Sequence, residues 1–155
     1  MNPLRRNVLK SAAGAGTLAV AVAAGLLKPT MALAGAPRSA FESKTPADAL
    51  KGIGATAATD SKEIIIKAPD IAENGAVVPV EVTSSIAGIT AIAIIAEKNA
   101  NPLVADFDLS NGAQGFISTR IKMGQTSLVR AVVTAGGKTY TTTKEVKVTI
   151  GGCGG

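Results

Sequence analysis

From residue 63 onward the hydrophobic positions fall into short runs separated by glycine, proline and asparagine. Glu63-Ile64-Ile65-Ile66-Lys67 is a β-branched run that Pro69 ends. Val78, Val80 and Val82 alternate with Pro79 and Glu81, a period of two that predicts a strand with one buried face. Pro79 has no N–H for a ladder, which favours an edge strand or a bulge there. Ile89 to Ala96 is apolar on both faces, the pattern of a central strand. Leu103 to Leu109, Phe116 to Met123, Thr126 to Ala135 and Lys138 to Ile150 read as four further strands. In the last of these Val146, Val148 and Ile150 alternate with Glu145, Lys147 and Thr149. Turn signals stand between the runs, at Glu73-Asn74-Gly75, Asn99-Ala100-Asn101-Pro102 and Asn111-Gly112. Gly124-Gln125 and Gly136-Gly137 each leave two residues between runs, which predicts two tight hairpins.

A helical signal precedes the strands. Thr45 suits an N-cap, Pro46 the first helical position and Asp48 the first turn. Ala49 and Leu50 continue it, Gly52 and Gly54 stop it, and Ala55 to Asp60 reads as a loop. About seven strands in roughly 90 residues, closely spaced turns and little helix predict an all-β fold. The expected architecture is an immunoglobulin-like antiparallel β-sandwich with a short N-terminal helix and a flexible C-terminal tail. The antibody-type Cys…Trp…Cys core is absent, since the chain has one cysteine and no tryptophan.

The N-terminus has a different pattern. Arg5 and Arg6 form a twin-arginine pair ahead of an Ala/Gly/Leu/Val run from Ser11 to Leu27, and Ala32-Leu33-Ala34 closes it. Charged, apolar and small-residue segments in that order predict an export signal of the twin-arginine type, cleaved after Ala34, with a cut after Ala36 as the alternative that would leave Pro37 beside it. The run falls short of the roughly 20 apolar residues of a membrane span, and Lys28 interrupts it. The expected organisation is a signal peptide over 1–34, a helical segment and loop over 35–60, a β-sandwich over 61–150 and a tail over 151–155. The expected location is the periplasm, with no membrane segment in the mature form.

The leader also changes the charge argument. It carries four of the 16 Lys and Arg and none of the 11 Asp and Glu. From Gly35 onward 12 basic residues face 11 acidic ones, a balance of +1. The high pI is thus largely a property of the leader. With only Phe41, Phe107, Phe116 and Tyr140 as aromatics, nothing points to nucleic acid.

The chemical inventory is short. No histidine is present, which excludes histidine metal sites and Ser-His or Cys-His catalysis within the chain. Asp106 and Asp108 are two apart on one predicted strand, and the ordinary reading of such a pair is a solvated face. Gly124-Gln125 and Gly136-Gly137 are turns and not phosphate loops, because no helix follows them. No metal or cofactor is called for.

Cys153 is the exception. It stands in Gly151-Gly152-Cys153-Gly154-Gly155, beyond the last apolar strand residue. Glycine brings no side chain to pack and the widest backbone freedom, so the tail is expected to act as a flexible arm. It provides no base or cation beside the sulfur. An unperturbed thiol titrates at about 8.5 and is only a few per cent thiolate at neutral pH. The sulfur is thus a handle for partners to act on, and the chain is not expected to be an enzyme. The competing reading is a structural or binding module that uses the odd cysteine for an intermolecular disulfide.

With its twin-arginine leader, short helix, β-rich domain and terminal Gly-Gly-Cys-Gly-Gly, the chain resembles the Y subunits of the periplasmic thiosulfate-oxidising Sox complex, the SoxY sulfur carriers. The resemblance implies a covalent carrier with Cys153 as the sulfur attachment point and Gly151, Gly152, Gly154 and Gly155 as the arm. It implies a heterodimer with a Z-type β-sandwich subunit. It implies a c-type cytochrome complex that joins thiosulfate oxidatively to the cysteine and a hydrolase that releases sulfate. The remaining sulfane sulfur is then oxidised by a sulfur dehydrogenase or passed elsewhere. Ile89 to Ala96 and Phe116 to Met123 are the candidate faces for the Z-type subunit.

Overall fold

The computed structural model describes residues 38–110 and 112–149. Two short helices, α1 (Arg38–Phe41) and α2 (Pro46–Gly52), precede nine strands among these residues. The strands are β1 (Thr59–Asp60), β2 (Ile64–Lys67), β3 (Ile71–Ala72), β4 (Val78–Ser84), β5 (Ile89–Ala96), β6 (Leu103–Asp108), β7 (Phe116–Ile121), β8 (Ser127–Ala135) and β9 (Lys138–Val148). All seven runs legible in the hydrophobic pattern are strands. The larger sheet has the order β1-β9-β8-β5-β6, with β3 also on β9, and the smaller has the order β2-β4-β7. The two pack as an immunoglobulin-like β-sandwich.

Alternation explains which side chains meet between the sheets. Val78, Val80 and Val82 of β4 face Ile92, Ile94 and Ala96 of β5 and Val129, Ala131 and Val133 of β8, all within one cluster and almost wholly buried. Full burial of a Val or Ile side chain contributes about 1.5–3 kcal/mol relative to exposure, so this layer is the main source of stability.

β5 is apolar on both faces because it has two cores to serve. Its alternate residues Ala93 and Ile95 join Leu103 and Val132 on the outer face of the larger sheet, where Ala40, Ala49 and Ala55 of the helical segment cover them. The small alanines let helix and sheet approach closely. α2 is capped as its residues dictate. The Thr45 hydroxyl oxygen accepts the Asp48 N–H at 3.1 Å and donates to Asp48 Oδ2 at 2.7 Å. At the other end Gly54 takes a φ of +71°. Its N–H donates to Lys51 O at 3.1 Å, and Ala55 N–H donates to Leu50 O at 2.7 Å. This is the paired closure that a left-handed glycine permits.

Three local expectations are revised, and the edge expected at Pro79 takes a specific form. Gly124-Gln125 is not a hairpin, because β7 and β8 belong to different sheets and the segment crosses between them. A two-residue hairpin of the favoured type needs positive φ at both central residues. Gly136 (+55°) and Gly137 (+75°) meet that need between β8 and β9, whereas Gly124 is not among the positive-φ glycines. Pro79 lies in the middle strand of the smaller sheet. It pairs with Arg120 of β7, but β2 reaches only Glu81 to Ser84, so β4 is locally an edge at position 79. The end of the 55–60 loop forms β1, which pairs in parallel with Tyr140 and Thr141 of β9. Lastly, Ile92 to Ala96 is wholly buried within the fold, so of the Ile89 to Ala96 face only Ile89, Thr90 and Ala91 stay accessible.

Candidate functional site at the end of β9

β9 carries the chain towards Cys153. Along one side it pairs with β8 from Lys138 opposite Ala135 to Val146 opposite Ser127. Beyond that point a side chain continues the ladder. Thr126 Oγ1 accepts the Val148 N–H at 3.0 Å and donates to Val148 O at 3.4 Å. On the other side β3 runs parallel to Lys147 and Val148. Lys147 N–H donates to Asp70 O at 3.0 Å and Thr149 N–H to Ala72 O at 3.1 Å. The Asn74 turn closes over this region. Asn74 Oδ1 accepts the Ala76 N–H at 2.9 Å, and Met123 N–H donates to Gly75 O at 2.7 Å. A Cβ at Gly75 would stand 2.8 Å from Val148 Cγ1, so only glycine lets the turn close this tightly. The strand is thus held on both sides as far as Val148, and on the β3 side as far as Thr149.

Ile150 and the sequence-predicted site residues Gly151, Gly152, Cys153, Gly154 and Gly155 lie outside the described residues. Covalent geometry still limits their reach: four residues from Thr149 to Cys153 span at most about 14 Å.

A groove of 770 Å³ opens at the same end of the sandwich, lined in part by Lys98, Asn99, Asn101, Arg120, Lys122 and Gln125. Gln125 adjoins Thr126, the residue bound to Val148. Amide side chains tie the groove walls together. Asn99 accepts the Gly124 N–H at 3.0 Å and donates to Lys122 O at 2.7 Å. Gln125 donates to Lys98 O at 3.2 Å, and Ser127 Oγ accepts the Lys98 N–H at 3.0 Å. Asn101 donates to Phe41 O at 2.8 Å and accepts from Lys44 Nζ at 3.1 Å, joining the loop to the helical segment. The charged residues of the lining are all cationic. Nothing in the hydrophobic pattern marked this groove, because its cations come from the 97–101 loop and from the end of β7.

The carboxylate pair noted in the sequence is elsewhere. Asp106 and Asp108 of β6 stand opposite Ala93 and Ala91 of β5. Among the described residues no three His, Cys, Asp or Glu are grouped to hold a metal. The half-buried ion pair, Arg130 to Glu97 at 2.7 Å, also binds Thr141 through Arg130 and serves the sheet rather than the groove.

The profile of the family described as "Sulfur oxidation protein SoxY" matches residues 50–153, two thirds of the chain, from the last turn of α2 to the cysteine. The chain belongs to the SoxY family. It is similar to the solved sulfur carrier protein SoxY from Chlorobium limicola f thiosulfatophilum, at 42% identity and a TM-score of 0.62, over 71% of this chain and 96% of that one. It also resembles a superoxide reductase (neelaredoxin) from Ignicoccus hospitalis, at 17% identity and a TM-score of 0.50, over 56% of this chain and 80% of that one. That second likeness is one of fold alone. Among curated proteins none matches the chain.

Proposed function

We propose that the protein is a non-catalytic carrier in sulfur oxidation that holds thiosulfate-derived sulfur covalently on Cys153 and presents it to partner enzymes. The observation that carries this reading is that the SoxY match runs through to residue 153, so it takes in the only cysteine of the chain. The structure of the last strand supports it. A strand held to Thr149 gives the arm a firm root, and four residues put the sulfur up to about 14 Å beyond it. Loading joins the thiolate sulfur to the sulfane sulfur of thiosulfate, and the two electrons released pass to a c-type cytochrome complex. A hydrolase then frees sulfate, and a sulfur dehydrogenase or another acceptor takes the remaining sulfur.

The same reading places the protein in the periplasm after cleavage behind Ala34. It also gives the protein a Z-type β-sandwich partner, for which the outer face of the smaller sheet is the proposed seat. On the larger sheet the patch around Ala93, Ile95 and Val132 is covered by the chain's own helical segment. On the smaller one Ile65, Thr83 and Phe116 form a single cross-strand row, with Ile65 55% and Phe116 49% exposed.

Intact-mass measurement on protein from thiosulfate-grown cells tests the carrier role. Reductant-labile adducts on Cys153 are expected, and Cys153→Ser is expected to abolish thiosulfate oxidation while leaving the fold intact. Continued oxidation by that variant would refute the proposal. A disulfide-linked dimer as the active species would favour a structural role for the cysteine.

A further inference from the structure

We propose that the groove carrying Lys98, Arg120 and Lys122 is the docking surface for an acidic rim around the active site of an enzyme that acts on Cys153. The inference rests on the carrier reading and adds the surface and the charge of the partner. Its first support is reach. At most about 14 Å of chain separates Thr149 from Cys153. A thiol that enters a partner's cleft on so short an arm draws the partner's rim against the end of the sandwich where β9 stops. The groove lies at that end, since Gly124 and Gln125 line it and the next residue, Thr126, binds Val148.

Charge is the second support. Among the described residues no carboxylate lines the groove, and none of the three cations there takes part in an ion pair. The balance of the chain from Gly35 onward is only +1, so this one-signed surface is local and not a reflection of a basic protein. Unneutralised charge in a concavity steers an oppositely charged partner and sets its orientation more than it adds raw affinity.

Rigidity is the third. The Lys98 and Lys122 carbonyls accept from Gln125 and Asn99, and the Lys98 N–H is held by Ser127. The lysines therefore project from fixed backbone, and a partner pays little ordering cost beyond that of the side chains themselves.

The test uses the mature protein and an extract of carrier-deleted cells grown on another substrate in the presence of thiosulfate. Loading of Cys153 is followed by intact mass, for wild type and for the triple variant Lys98→Gln, Arg120→Gln, Lys122→Gln. At low salt the variant is expected to load at least about tenfold more slowly. Added NaCl should slow the wild type towards the rate of the variant, whose own rate stays nearly flat. Alkylation of Cys153 by iodoacetamide should proceed equally in both, as should thermal unfolding. Wild-type loading by the variant would overturn the proposal. So would inhibition by sodium sulfate well beyond that of NaCl at equal ionic strength, which would make the groove a small-oxoanion site. Failure of the wild type to gain any adduct would instead overturn the carrier reading, and the docking surface with it.

Discussion

Thr126 Oγ1 accepts the Val148 N–H at 3.0 Å, and the same hydroxyl donates to the Val148 carbonyl at 3.4 Å. One side chain thus satisfies both backbone groups of a residue that β8 no longer reaches. Thr126→Val keeps the shape and removes both bonds, leaving a half-buried N–H without its acceptor. A loss of about 1–2 kcal/mol is expected in urea unfolding. Native-state hydrogen exchange should quicken at Val148 and Thr149 and stay unchanged at Ala131 and Val133. Equal exchange at Val148 would show that Thr126 does not hold the root of the arm.

Gly75 makes a second, steric claim on the same place. Any side chain there meets Val148 Cγ1 at 2.8 Å and crowds the Met123 carbonyl, which is backbone and has nowhere to go. Gly75→Ala is therefore expected to cost about 1–3 kcal/mol by overpacking. The comparison that isolates the cause is Gly75→Ala combined with Val148→Ala. Relief of the Val148 contact alone should recover only part of the loss, because the Met123 clash remains. A single variant as stable as wild type in thermal unfolding would refute the steric account.

These two contacts also mark where reading from sequence ends. β4, β5, β8 and β9 were legible because each alternates or runs apolar for reasons internal to the strand, as Val78, Val80 and Val82 do. The caps of α2 were legible because Thr45, Pro46, Asp48 and Gly54 act within a few residues of one another. Cys153 stands out in the sequence because its glycine frame is contiguous, and it lies outside the described residues. The crossover at Gly124 was not, because only its lack of positive φ and its bond to Asn99, 25 residues away, distinguish it from the Gly136-Gly137 hairpin. The strands β1 and β3 have two residues each and no pattern of their own; they exist because β9 offers them an edge. The groove was hidden for the same reason, since Lys98 and Lys122 meet only through tertiary structure.

Phe116 gives a prediction for assembly. It lies on the exposed face of the smaller sheet in register with Thr83 and Ile65, while its neighbour Ile117 points into the core. Phe116→Glu should leave the fold intact, because the side chain is half exposed and terminal on β7. At an interface the same change buries a carboxylate without a partner and is expected to weaken binding of the Z-type subunit by about 2–5 kcal/mol. Size-exclusion chromatography of the co-expressed pair reads this as a shift to separate subunits. Ser118→Glu, two residues further along on the same face, serves as a graded control. Co-elution of the Phe116→Glu protein with its partner at nanomolar concentration would remove this face from consideration.

Arm length gives the last prediction, and it separates reach from reactivity. Deleting Gly151 and Gly152 moves Cys153 two residues closer to Thr149 and removes up to about 7 Å of reach. Nothing in the described fold depends on those residues, so unfolding by urea should match wild type. Alkylation by a small reagent such as iodoacetamide should change little, because such a reagent needs only access to the sulfur. Loading by a partner enzyme needs the sulfur at a fixed depth, where a misplacement of 1 Å already costs as much as about a hundredfold in rate. Enzymatic loading is therefore expected to fall by at least about a hundredfold while alkylation is retained. Replacing the two glycines with two alanines keeps the length and restricts the backbone, and this variant should lie between the two. If the deletion variant loads as fast as wild type, the partner reaches the cysteine without the arm, and the distance from Thr149 has no part in the mechanism.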